Sequence, residues 1–267
     1  MQDNMLNKGN ICLKTEHFLI FTDSAQKEMA EHFSELLERN YLKIHEDFHF
    51  PLSMPKTVER NNTCEEEFSE AKLCCYLCGN VPEYLRQTGK RAEDYEPWMV
   101  GYADSRLGKI CLLLPEEGDV KDQAGDAESD CSEKSQRLME LEKIAVHELV
   151  HIIFDRHCGV TDGEAWLIEG IAILYAGQTD LRYVSEADCP KICALGGQCV
   201  DGETPDEFAD NGGYDYAGIY VWYFIRKYGF EKFLAAYRNT VCTCEILPDG
   251  FEREAVAAYQ REYAVTL

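Results

Sequence analysis

The sequence predicts an α+β protein, with an N-terminal α/β lobe over residues 1–134 built on a small mixed sheet and a mostly helical lobe over residues 135–267. Three observations carry that expectation. Short apolar runs of strand length are confined to the first half. Apolar residues at helical spacing dominate the second. Between them lies an acidic stretch, Glu116 to Asp130, with seven acids against one lysine, which reads as a mobile loop at the rim of a cleft between the lobes.

In chain order, Glu16 to Thr22 is apolar and aromatic and reads as a strand. Ser24 suits a helix N-cap, and Met29, Phe33, Leu36, Leu37, Tyr41 and Ile44 follow at helical spacing. Pro51 and Pro55 mark a loop, Lys56 to Arg60 a short strand, Glu65 to Cys78 a helix and Pro82 to Pro97 irregular chain. Ile110 to Leu114 is a continuous apolar strand stopped by Pro115. A helix beginning near Ser135 runs on through Ile144 to Phe154, and Cys158 to Gly163, with two glycines, is a turn into a second helix over Glu164 to Gly177. Asp180 to Gly213, rich in Cys, Gly, Asp and Pro, reads as an irregular excursion. Tyr214 to Gly229 is an aromatic-rich helix with Gly229 as its C-cap, and Phe230 to Arg238 and Ala255 to Tyr263 are further helices.

The net charge of −23, from 49 acids against 26 Lys and Arg, argues against nucleic-acid binding, because phosphate contacts need a basic surface. No apolar run approaches the roughly 20 residues that span a bilayer, so no membrane partner is expected. The N-terminus lacks the basic start and apolar core of a signal peptide, which reads as cytoplasmic; a chain already trimmed of its signal would be secreted. Thirteen cysteines, among them Cys74, Cys75, Cys78, Cys242 and Cys244, form no complete set of two spaced pairs, and reduced thiols or a few disulfides are expected rather than a zinc ribbon. His32, His45 and His49 are not paired at ligand spacing and read as packing or surface residues.

The chemistry concentrates in Val146 to Ala172. His147 and His151 are four apart, about 400° of rotation and about 6 Å of rise on a helix, so both imidazoles leave one face and can hold one ion. A catalytic zinc takes three protein ligands and leaves a fourth position for water. Glu148, about 100° around the helix from His147, can reach that water as a general base without being a ligand. Two residues compete to be the third ligand. His157, six residues past His151, imitates a metzincin, but the helix-breaking glycine of that pattern is Phe154 here, and no methionine follows Met139 to form the turn beneath the metal. Glu169 is the other; its neighbours Trp166, Leu167, Ile168, Ile171, Ile173 and Leu174 are apolar, and a carboxylate among them needs a partner that a cation would supply.

Trp166 to Ala172, W-L-I-E-G-I-A, resembles the W-L-x-E-G-x-A element of the gluzincin metallopeptidases, the thermolysin-like and peptidase MA-like group. Seventeen residues separate His151 from Glu169, close to the spacing in that group. The resemblance implies a zincin-like fold with the active-site cleft between the lobes, and one catalytic zinc on His147, His151 and Glu169. It implies Glu148 as base, and a tyrosine at the start of the helix ending in Tyr228 and Gly229 as oxyanion donor: Tyr214, with Tyr216 and Tyr220 as alternatives. It also implies that the strand before the zinc helix, represented by Ile110, Cys111, Leu112 and Leu113, is the sheet edge that pairs with an extended peptide substrate. The aminopeptidase element G-x-M-E-N is absent, which points to an endopeptidase, and Ile173 stands where thermolysin has an acid one turn past its third ligand. The expected function is zinc-dependent hydrolysis of a peptide or protein substrate. A zinc-containing peptide-binding scaffold without catalysis, or a cysteine-rich redox or metal-storage protein, are the alternatives.

Overall fold

The computed structural model describes residues 10–23, 26–53, 72–115, 127–159, 163–199 and 204–263, with backbone alone at 10–11 and 127–134. The chain divides into two compact units, Met1–Ile153 and Phe154–Leu267. It is α+β, with one small mixed sheet and a mostly helical remainder.

The first unit holds a five-stranded sheet in the order β1-β2-β3-β5-β4. β1 (Asn10–Lys14) pairs antiparallel with β2 (Phe18–Asp23), and β2 pairs parallel with β3 (Leu73–Cys78). Parallel neighbours need a crossover, and α1 (Lys27–Asp47) is its described part. Its Ala30, Phe33, Leu37, Tyr41 and Ile44, at helical spacing, are buried. β3 pairs parallel with β5 (Lys109–Leu113), which turns back antiparallel on β4 (Gly101–Asp104). Asp104 Oδ1 accepts from Leu107 N–H at 2.9 Å, and Gly108, at φ +62°, turns the hairpin where a side chain would strain it.

Three expectations change here. Leu73 to Cys78 is a strand and not the end of a helix: a continuous apolar run this short satisfies a strand covered on both faces as well as a buried helix, and its pairing with β2 and β5 decides the matter. Within Pro82 to Pro97 the chain forms α2 (Val81–Thr88). Asn80 caps it by accepting from Glu83 N–H at 2.9 Å, Glu83 Oε2 reaches back to Gly79 N–H at 3.2 Å, and Gly89 ends it at φ +72°. The helix carrying the histidines, α3 (Ala127–Cys158), starts well before Ser135 and takes in the end of the expected acidic loop. The rest of that loop, 116–126, and the expected strand at Lys56 to Arg60 lie outside the described residues.

The second unit is helical: α4 (Ala165–Ala176), α5 (Asp206–Asp210), α6 (Gly213–Tyr228), α7 (Phe230–Tyr237) and α8 (Phe251–Tyr263). α4 and α6 approach closely through glycines. A Cβ on Gly170 would lie 2.6 Å from the Ala217 carbonyl oxygen, and one on Gly218 would lie 2.8 Å from Ile173 Cγ2. Trp166, fully buried, packs edge-on against Phe224 and Phe251 and joins α4 to α6 and α8. α4 is therefore surrounded, which explains its nearly unbroken apolar sequence.

Candidate metal centre

Six polar residues are buried among the described ones: Thr22, Ser34, His45, His147, Glu169 and Thr243. Four have evident reasons to be there. Thr22 donates to Leu77 O, Ser34 to Glu31 O, and Thr243 to the Glu164 carboxylate, while His45 Nδ1 lies 2.7 Å from Tyr41 O. The remaining two, His147 and Glu169, come together with His151, and one ligand atom from each of the three lies within 4.8 Å of the others. This is the one such group among the described residues.

The helical spacing produces the geometry. His147 and His151 sit one turn apart on α3, ring centres 4.6 Å apart, with their Nε2 atoms 2.9 Å from each other. Two imidazole nitrogens at that distance share either a proton or a cation, since two protonated rings would repel. A carboxylate oxygen within 4.8 Å of both nitrogens adds an anionic donor that balances a positive charge held there. The donor set of two imidazoles and a carboxylate matches a site for one divalent metal ion, zinc included. Glu169 is oriented from outside the cluster: Thr204 Oγ1 donates to its Oε1 at 2.6 Å. Thr204 was invisible to sequence reasoning, because it lies 35 residues away in a segment without periodicity.

α3 continues without a break through Phe154 to Cys158, so His157 stays on the helix and does not join the group. Glu148 lies against the sheet: a Cβ on Gly101, the first residue of β4, would meet Glu148 Oε1 at 2.8 Å and would collide with Ile144 Cγ2. Gly101 is itself held by Tyr84, whose hydroxyl donates to its carbonyl at 2.8 Å. Burial, and then the nearby Glu148 carboxylate, push the Tyr84 phenol above its ordinary range, so it remains a donor.

The edge strand is corrected. Ile110, Cys111 and Leu112 are fully buried, and β5 is paired along one side to β3 and along the other to β4. Leu113 N–H is also committed, to Val100 O at 2.8 Å. A continuous apolar run marks a strand with neighbours on every side, and an edge has no need of one. The outer strand beside Glu148 is β4. Burial also raises the Cys111 thiol to about 12, which leaves it a packing residue.

Tyr214 is the second residue of α6, is 43% exposed, and stacks edge-on against Phe208. The alternatives are occupied: Tyr216 OH accepts from Ser185 N–H at 3.0 Å, and Tyr220 OH donates to Pro190 O at 2.7 Å. Among the described residues no helix is long and apolar enough to cross a membrane. Compared with protein-family models, curated proteins and solved structures, the chain matches none.

Proposed function

We propose that this chain is a zinc-dependent metallopeptidase of zincin-like fold that cleaves internal peptide bonds. One observation carries the reading: His147, His151 and Glu169 converge within 4.8 Å, with Glu148 one residue from the first of them. A zinc ion held there would supply a Lewis acid for the scissile carbonyl and a water acidified to a pKa of about 7. Glu148 takes the proton of the attacking water on its carboxylate and returns it to the leaving amine. Tyr214 donates its phenolic hydrogen to the oxyanion. The outer strand β4, next to Glu148, offers backbone N–H and C=O groups to an extended peptide.

An open groove of about 750 Å3, lined by Val81, Tyr95, Val100, Leu113, Leu141 and Ile144, continues from the same end of β4. Its lining, mostly apolar but including Gln136, Arg137 and Glu140, suits an aliphatic or aromatic substrate side chain. The reading is tested by metal content, measured by mass spectrometry on the wild type and Glu169→Ala, beside cleavage of a quenched peptide library. One zinc per chain, lost in the variant, with chelator-sensitive cleavage, is the expected result. Zinc without cleavage would move the function to a peptide-binding scaffold, and absence of zinc would overturn the site.

A further inference from the structure

Away from the histidines, two cysteines stand in an arrangement unlike the other cysteines of the described chain. Cys242 and Cys244 are both exposed and flank Thr243, which is buried. Thr243–Glu245 is one 3-10 turn with Cys242 at its N-cap, closed by Glu245 N–H donating to Cys242 O at 3.1 Å. With Thr243 in helical conformation, the Cα atoms on either side of it are about 5.5 Å apart, inside the roughly 4.4–6.8 Å span of a disulfide. The two thiols lie side by side, and the Cys242 thiol holds that of Cys244 above its ordinary range. By contrast, Cys75, Cys78 and Cys111 are buried, out of reach of a dissolved oxidant. No third ligand joins Cys242 and Cys244 among the described residues, which disfavours a metal site and leaves a dithiol.

The residue between the thiols is an anchor. Thr243 Oγ1 donates to the Glu164 carboxylate, 2.7 Å from both oxygens, and Trp166 Nε1 donates to the same carboxylate at 2.7 Å. Glu164 is the N-cap residue of α4, and its carbonyl accepts the amides of Leu167 and Ile168. We propose that Cys242 and Cys244 form a reversible redox site, closing to a disulfide across Thr243 and loosening the Thr243 anchor on the first turn of α4. The co-reactant is a low-molecular-weight disulfide. One cysteine thiolate attacks it, forming a mixed disulfide and expelling one thiolate. The second cysteine thiolate then attacks the protein sulfur of that mixed disulfide and expels the other. Both protein protons end on the two expelled thiolates, so the protein dithiol is oxidised by two electrons and the small disulfide is reduced to two thiols.

The full chain is equilibrated with oxidised glutathione, its free thiols are blocked with one alkylating reagent, and after reduction the released thiols are labelled with a second and mapped by peptide mass spectrometry. The expected result is that Cys242 and Cys244 take the second label together, from a peptide that had lost two hydrogens and carried no glutathione, and that reduced glutathione reverses it. In Cys242→Ser the remaining Cys244 keeps a glutathione adduct; both positions are exposed, so the fold survives the change. A stable glutathione adduct on wild-type Cys242 or Cys244, or no reaction at either, would overturn the site. In the disulfide form, hydrogen exchange at Leu167 and Ile168 is expected to rise about tenfold, the scale of losing one hydrogen bond to a charged group. Unchanged exchange there would overturn the transmission to α4.

Discussion

Thr204 Oγ1 donates to Glu169 Oε1 at 2.6 Å, so the carboxylate of the proposed third ligand has one oxygen held by the protein before any metal is considered. A carboxylate tethered in this way loses less freedom on binding an ion, and its orientation is set in advance. Thr204→Val should weaken zinc binding by about 10- to 100-fold, measured by competition with a chromophoric chelator, while Thr204→Ser should restore it. Equal affinity in all three proteins would remove Thr204 from the metal centre.

Glu148 is adjacent to a ligand without being part of the three-residue group. Glu148→Gln should therefore retain one zinc and lose at least about a hundredfold in kcat, the scale for removing a general base. Metal content and turnover measured on the same preparation separate the two roles, and undiminished turnover would exclude the base.

Gly170 follows Glu169 at the closest approach of α4 and α6, where an added Cβ meets the Ala217 carbonyl oxygen at 2.6 Å. Backbone cannot move aside as the end of a flexible side chain can. Gly170→Ala should cost about 1–3 kcal/mol or more in urea unfolding, despite the better helix propensity of alanine. A gain in stability would show that the helix pair can separate without penalty.

His45 is buried against Tyr41, and burial, opposed by its bond to Tyr41 O and reinforced by nearby His17, holds its pKa below the ordinary 6.5. The unfolded chain then binds the proton more readily than the folded one, so stability is complete above pH 6.5 and declines as pH falls below it. Against burial, which raises it, Glu38 is lowered by its hydrogen bonds with the His17 backbone N–H and ring, and it loses its contribution in a separate, more acidic window below pH 4.5. Thermal melts across the first window should show a shallower decline in His45→Gln than in the wild type; parallel curves would assign the effect elsewhere.

The elements read most securely were those whose pattern has one physical interpretation. α4 and α6 end at Gly177 and Gly229, as their sequences indicate, because a run of apolar residues stopped by a glycine admits few other structures. The misread elements had two interpretations. Leu73 to Cys78 fits a helix or a strand by periodicity alone. The signals of α2, Asn80 with Glu83 and then Gly89, stand in the sequence, and Pro82 lies in the first turn, where proline is tolerated.

The sequence by itself determined the pairing of His147 with His151, the place of Glu148 beside them, and the candidacy of Glu169. The first two follow from the 3.6-residue period, and the third from the cost of leaving a carboxylate unpartnered in an apolar helix. Only the tertiary structure decided that Glu169 reaches the histidines and His157 does not, that Thr204 holds it, and that β4 rather than β5 is the outer strand. Those facts depend on which segments become neighbours after burial of the core. Strand order and hydrogen bonds between distant residues leave no periodic trace along the chain.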